Sequence, residues 1–307
     1  MTQSFYSHGK LLLTGEYLVL DNATALAIPT KKGQSMTVIN TENSFINWKS
    51  FDSSDNIWFE TVFELTETGI ASIDKEKISS NEQKTLLSIL QTANQLNPLF
   101  LSTAQGYTVT THLEFERNWG LGSSSTLINN IAQWAGINAF DLLYQSFGGS
   151  GYDIACAQHD IPIFFNRNNN KPVITSAVFN PEFQESLFFV HLNQKQNSKD
   201  SIRHYRSLSI TEITKFKEKI NTITANFETC NTLPHFQELI DSHEQTISSL
   251  IKTPTVKEQL FHDYKGSIKS LGGWGGDFIL VTGTSDDMNY FKEKGYQTIL
   301  PYREMVF

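Results

Sequence analysis

Residues 117–130 read Arg-Asn-Trp-Gly-Leu-Gly-Ser-Ser-Ser-Thr-Leu-Ile-Asn-Asn, and no other stretch restricts the fold so strongly. Gly120 and Gly122 permit positive φ and close approach of the backbone to a ligand, and the run Ser123, Ser124, Ser125, Thr126 supplies hydroxyls and N-cap candidates. After Leu127 the apolar residues fall at Ile128, Ile131, Ala132, Ala135 and Ile137, the spacing of one buried helical face, so a helix starts beside the glycines. A helix start presents free backbone N–H groups and the positive end of the dipole, which together favour a phosphate. The pattern is neither of the common nucleotide loops, because no Lys follows the second Gly and no third Gly completes a dinucleotide fingerprint. Read alone, it is equally a glycine bend before a well-capped helix.

Upstream, residues 11–13 and 17–20 are short apolar runs typical of buried strands, joined by a Thr14-Gly15-Glu16 bend. Lys10 stands where an amine neutralises a phosphate and Glu16 where a carboxylate orders a polar substrate; read alone they are a surface lysine and an exposed turn glutamate. Residues 37–39, 45–48 and 57–65 alternate apolar with polar as hairpin strands do, residues 84–96 have helical periodicity, and residues 107–115 alternate again. Beyond a short helical piece at 140–146, Gly148, Gly149, Ser150 and Gly151 force a tight turn that sets Asp153 in the first turn of a helix. There a carboxylate orients or deprotonates a hydroxyl, or merely complements the helix terminus. Residues 162–165 and 187–192 read as strands, 166–171 as a loop at a lobe boundary, and 210–225, 236–250 and 256–266 as helices. Residues 193–201 form a polar loop whose Lys195 and Lys199, with Arg203 and Arg206, serve either an anionic ligand or solvent. His243 and His262 lack metal-ligand partners at a diagnostic spacing and read as structural. Near the end Gly272, Gly273, Gly275 and Gly276 surround Trp274 and precede Asp277 and a buried strand, which describes a fixed glycine loop aimed by a rigid element.

At 307 residues the chain divides into two lobes, expected here at 1–170 and 171–307. A net charge of -8 and the lack of a basic stripe exclude a general nucleic-acid or anionic-membrane surface while leaving room for a local pocket for an anionic metabolite. Cys156 and Cys230 set no disulfide framework or zinc spacing, and no window approaches the roughly 20 apolar residues of a membrane span. With no signal-like start in residues 1–13, the expected compartment is the cytoplasm.

Four motifs, Gly9-Lys10-Leu11 with Gly15-Glu16-Tyr17, Gly120-Leu121-Gly122-Ser123-Ser124, Gly149-Ser150-Gly151-Tyr152-Asp153 and Gly272-Gly273-Trp274-Gly275-Gly276-Asp277, resemble in order and spacing the motif set of the GHMP kinase superfamily. The Gly151-Tyr152-Asp153-Ile154-Ala155 run resembles its GYDIA-type sub-group, and the details look more like phosphomevalonate kinase than mevalonate kinase. Leu142 stands where a mevalonate-kinase-like second carboxylate is expected, with Asp141 and Gln145 nearby. Glu116 replaces the family's Pro, Ser125 its Ala, and Trp274 interrupts the last glycine loop, where an indole would narrow the site.

The resemblance implies a two-lobed α+β fold, with an N-terminal lobe like ribosomal protein S5 domain 2, a ferredoxin-like C-terminal lobe, and the site in the cleft between them. It implies an ATP- and Mg²⁺-dependent kinase acting on an anionic or polyhydroxy small molecule, phosphomevalonate or mevalonate foremost. Homoserine or sugar kinases, or a non-catalytic metabolite-binding relative, are the alternatives, and the assembly is a monomer or homodimer. Asp153 and Lys10 are the implied catalytic residues. Gly120, Leu121, Gly122, Ser123, Ser124 and Ser125 are the implied ATP residues, with Ser124 on the metal, and Glu16, Tyr17, Ser150, Gly151, Gly272, Gly273, Gly275 and Gly276 the implied acceptor residues.

Overall fold

An Asp-Ser-Ser-Asp-Asn turn at 52–56 closes the first hairpin: Asp52 Oδ1 accepts the N–H groups of Ser54 and Asn56, both at 2.9 Å, and Asp55 takes a φ of 62°. The hairpin strands are β3 (Phe45–Phe51) and β4 (Ile57–Thr66). The computed structural model of the protein describes residues 1–66, 69–73, 80–102, 105–169, 171–194, 203, 205–272, 274 and 276–307. Its contacts divide it into two compact units drawn from several stretches of chain, Met1–Gly9, Lys32–Arg117 and Gly122–Gln158 in the first, Lys10–Lys31, Asn118–Leu121 and His159–Phe307 in the second. Both mix strands and helices, as expected of an α+β protein.

In the first unit β6 (Gly106–Leu113) runs parallel to β3, and β2 (Ala25–Thr41) pairs antiparallel to β6 from Gln34 to Thr41. With β5 (Gly69–Ser72) on the outer side of β4 the order is β5-β4-β3-β6-β2, and β1 (Thr2–Leu12) starts beside it, Met1 O accepting from Asn40 N–H at 3.2 Å. Strand alternation puts Met36, Val38, Ile46, Trp48, Phe63, Leu65 and Val109 inside and leaves Ile39, Ile57 and Val62 outside. Helices α1 (Asn81–Leu96), α2 (Ser123–Ala135), α3 (Ala139–Ser146) and α4 (Tyr152–Ala157) complete the unit, and α2 packs against the other three. The buried face of α2 is the predicted one, Ile128, Ile131, Ala132 and Ala135.

In the second unit β7 (Ile163–Asn168) pairs antiparallel with Ala25–Ala27 of β2 and with β8 (Lys171–Ser176). Residues 166–171, expected as a loop, instead end one strand and begin the next, with Asn169 at a φ of 50° in the short connection between them. A second, antiparallel sheet orders β10 (Ile268–Ser270), β11 (Phe278–Thr282), β9 (Leu187–His191) and β12 (Ile299–Pro301) as β10-β11-β9-β12. Every residue of β9 and β11 is buried, which explains their unbroken apolar runs. Helices α5 (Ile210–Asn226) and α6 (Leu233–Ile251) pack on each other, α5 opening with a Ser209–Glu212 capping box, and α6 also packs on β10.

Two further expectations are corrected. Residues 17–20 are not a strand: Leu18–Asp21 forms one turn of 3₁₀ helix, set off by a backbone reversal at Tyr17. Helix α7 (Val256–Leu260) stops short of residue 266, because Phe261 leaves helical geometry at a φ of -139° and enters a core cluster with Val190, Tyr264, Ile279, Val281 and Phe291. Phe261→Ala, which empties the centre of that cluster, is expected to cost about 3–5 kcal/mol in urea or guanidinium unfolding.

Candidate active site

The glycine loop has the expected local form. Gly120 and Gly122 take φ of 67° and 89°, Gly122 is the N-cap residue of α2, and no side chain caps that helix. Ser124 is exposed on the first turn, whereas Ser125 is buried and its hydroxyl donates to Gly122 O at 2.8 Å. In the second unit Lys10 Nζ donates to Gly120 O at 2.6 Å and Lys10 N–H to Leu121 O at 3.0 Å, so the predicted amine and the first two loop residues are held together.

The last glycine loop meets the same residues. A Cβ added at Gly120 would fall inside the Asp277 carboxylate, and one at Gly272, whose φ is 74°, would lie 3.0 Å from Asp277 Oδ2. Both glycines therefore leave room for this carboxylate. Asp277 itself has a φ of 55°, with its N–H bonded to Gln194 O at 3.0 Å and its carbonyl to Leu192 N–H at 2.8 Å. The Trp274 indole, expected to narrow the site, is 2 % exposed, and its N–H donates to Pro254 O at 3.2 Å. Gly276 is buried, while Gly273, Gly275, Lys195 and Lys199 lie outside the described residues. Arg203 and Arg206 are exposed.

Asp153 lies in the first turn of α4, whose N-cap Gly151 has a φ of 96°, and its Oδ1 accepts from Ile154 N–H at 3.0 Å. The turn before it is fixed by Tyr144, whose hydroxyl donates to Ser150 O at 3.2 Å; a side chain at Gly151 would strike that hydroxyl at 2.9 Å. Leu142 is fully buried, and Asp141 and Gln145 are exposed.

Glu16, expected to order a polar substrate, has a buried carboxylate engaged within the second unit. Oε1 pairs with Lys269 Nζ, and Oε2 lies 3.1 Å from His243 Nε2. His243 Nε2 also accepts from Gly15 N–H at 3.1 Å, and Lys269 Nζ lies 3.1 Å from Glu244 Oε1. Burial opposes the Glu16 charge, but Lys269 and His243 outweigh it and hold the carboxyl below its usual range. Burial likewise opposes the Lys269 charge, and two carboxylates outweigh it, so the ammonium titrates above its usual value. Burial drives the His243 imidazole below its usual range, against the opposing pull of Glu16. Glu244 is pushed up to about 7, by burial first and then by Glu16, against the pull of Lys269.

Next to Glu16 the backbone is strained. Leu18 N–H donates to Glu16 O at 2.7 Å across Tyr17, which has a φ of 63° and a ψ of -51°. This is the rare positive-φ γ-turn, on a bulky residue, at a cost on the order of 1–3 kcal/mol.

No protein-family model matches the sequence, and no curated protein matches it. Among solved structures, L. major mevalonate kinase in complex with R-mevalonate aligns over 97% of this chain and 94% of its own, at 14% identity and a TM-score of 0.68. Streptococcus pneumoniae phosphomevalonate kinase in complex with phosphomevalonate and AMPPNP aligns over 97% and 99%, at 14% identity and a TM-score of 0.67. Lactococcus lactis galactokinase complexed with galactose aligns over 95% and 88%, at 11% identity and a TM-score of 0.60. The chain has the GHMP kinase fold.

Within this GHMP kinase fold, two groups of residues escaped the sequence reading. The first is the pair Lys269 and Glu244, which join His243, read as structural; their only signal was a Lys between Ile268 and Ser270 and a His-Glu pair on the apolar face of a helix. The second is a buried amide network on α2. Ser7 Oγ donates to Asn130 Oδ1 at 2.7 Å, Asn129 Nδ2 to Ser7 Oγ at 2.8 Å, and Asn130 Nδ2 to Gln34 O at 2.9 Å. Two adjacent Asn residues inside an otherwise apolar helical face were the available clue.

The raised pKa of Glu244 has a definite sign. Its contribution to stability is full below the unfolded value of 4.5 and is lost as pH rises through about 7. Relative to wild type, Glu244→Gln is therefore expected to gain stability between pH 5 and pH 8, by up to about 3 kcal/mol, in urea unfolding at the two pH values.

Proposed function

We propose that this protein is an ATP-dependent small-molecule kinase that transfers the γ-phosphoryl group to a hydroxyl or phosphate acceptor, with phosphomevalonate and mevalonate the first acceptors to test. The observation that carries the reading is the start of α2, which is entered through two positive-φ glycines and left without a side-chain cap. Such a terminus keeps its first N–H groups for an anion. The fold shared with phosphomevalonate and mevalonate kinases supports the choice of acceptors.

Phosphoryl transfer asks the protein for positioning and charge neutralisation more than for covalent chemistry. In this reading Gly120, Leu121, Gly122, Ser123 and Ser124 wrap the ATP phosphates, and Lys10, which already fixes Gly120 O, adds positive charge beside the loop. The exposed Ser124 hydroxyl would hold Mg²⁺, an ion bound through few protein oxygens beside phosphate, which would supply neutralisation of the phosphate charge. Asp153 orients the acceptor and takes its proton. Tyr17, Ser150, Gly151 and the 272–276 loop contact the acceptor.

The test is ADP release with ATP and Mg²⁺ against phosphomevalonate, mevalonate, homoserine and galactose. Turnover is expected on one acceptor, with Asp153→Asn lowering kcat by about 10²–10⁴-fold and leaving ATP affinity within about twofold. Unchanged turnover in the mutant removes Asp153 from the chemistry. ATP binding with no ADP from any acceptor favours a binding protein on a kinase fold.

A further inference from the structure

The bend at Thr14, Gly15, Glu16 and Tyr17 is held from more sides than a surface turn needs. Gly15 takes a φ of 90° with Ala25 Cβ only 2.8 Å from where its own Cβ would stand. Thr14 Oγ1 accepts from both Leu26 N–H and Thr224 Oγ1 at 2.8 Å, and Gly15 O accepts from Val19 N–H at 2.9 Å. Between these fixed neighbours, the Glu16 side chain reaches Lys269 and His243 while its carbonyl closes the γ-turn through Leu18 N–H. A positive-φ γ-turn on a tyrosine persists only where its surroundings over-determine it, and those surroundings are here an ion cluster.

We propose that Glu16 is the anchor of this turn and not a ligand for the acceptor, and that Lys269, His243 and Glu244 act through it as positioning residues that present Tyr17. The functional half of this inference rests on the kinase reading above. The Tyr17 ring packs on Tyr205 at 5.9 Å between centroids, and the Tyr205 hydroxyl donates to Asp21 at the end of the same 3₁₀ turn. The cation that holds Glu16 lies 253 residues along the chain, in β10, just ahead of the last glycine loop. One ammonium thus ties together two of the four glycine motifs. Glu244 and Ser270 complete its surroundings, with Ser270 Oγ donating to Glu244 Oε2 at 2.9 Å.

Amide hydrogen exchange in the free protein tests the anchor without any turnover. Glu16→Gln keeps the shape and volume of the side chain and leaves Lys269 paired with Glu244; His243→Asn removes the second contact and, with it, the acceptor of the Gly15 N–H. Each is expected to speed exchange at Leu18 by about tenfold or more while β9 and β11 keep wild-type protection, and the double variant to do little more than either single one. Unchanged exchange at Leu18, or equal loss of protection in β9 and β11, overturns the proposal. On the acceptor that wild type turns over, both single variants are expected to lower kcat by about tenfold with the acceptor KM within about threefold. A large rise in acceptor KM with Leu18 exchange unchanged makes Glu16 a direct ligand and also overturns it. If wild type turns over no acceptor, the kinase reading fails by itself, and the exchange result still decides whether Glu16 anchors the turn.

Discussion

A buried lysine ammonium must be matched by carboxylates, and Lys269 is matched by two, Glu16 and Glu244. Much of the second unit is arranged to make that match. Helix α6 contributes Glu244 and His243, strand β10 contributes Lys269 itself, and the bend after β1 contributes Glu16. Taking one ion from such a cluster leaves another buried without compensation, at about 3–5 kcal/mol, whereas the intact cluster adds little net stability over well-packed apolar residues. What the cluster supplies is direction. It fixes which way each of three elements must face, and the strained backbone at Tyr17 follows from that choice.

The glycines of the second and last motifs follow a related logic of space. The Asp277 carboxylate lies against both Gly120 and Gly272, and Asp277 is held there by backbone bonds to Leu192 and Gln194. Lys10 then fixes the carbonyl of Gly120. Gly120 and Leu121 are therefore shaped within the second unit by a lysine and a carboxylate, and the Trp274 indole is buried nearby in the chain. In sequence that tryptophan looks like an intrusion into a glycine loop. In the structure it is a buried side chain bonded to Pro254.

The sequence made legible whatever is decided locally. The positive-φ glycines, the helix that follows them, the placement of Asp153 on a helix start and the buried runs of β9 and β11 are all visible in spacing and composition. The fold was legible for a different reason, since four glycine motifs in a fixed order restrict topology far more than any one of them does. Residues 17–20 misled because an apolar run of that length suits a strand, and the reversal at Tyr17 depends on Lys269 and His243, which no local window contains. The inward-facing Trp274 and the polar face of α2 were hidden likewise: their partners, Pro254 in one case and Ser7 and Gln34 in the other, are distant in the chain. Local pattern gives an element and its face; it does not name the partner.

The amides inside α2 act as a register key. Asn129 and Asn130 are buried, and each finds its acceptor or donor only at one position along the helix axis. An apolar helix face tolerates a small slide, because one methyl group contacts much as another does. Sliding α2 by one turn would instead strand two carboxamides and the Ser7 hydroxyl, each at about 1–3 kcal/mol. The helix is therefore locked against piston motion, and its uncapped first turn is held at a fixed height like the end of a keyed shaft. An anion seated there must adapt to the amides, since the amides have no axial freedom with which to adapt to the anion.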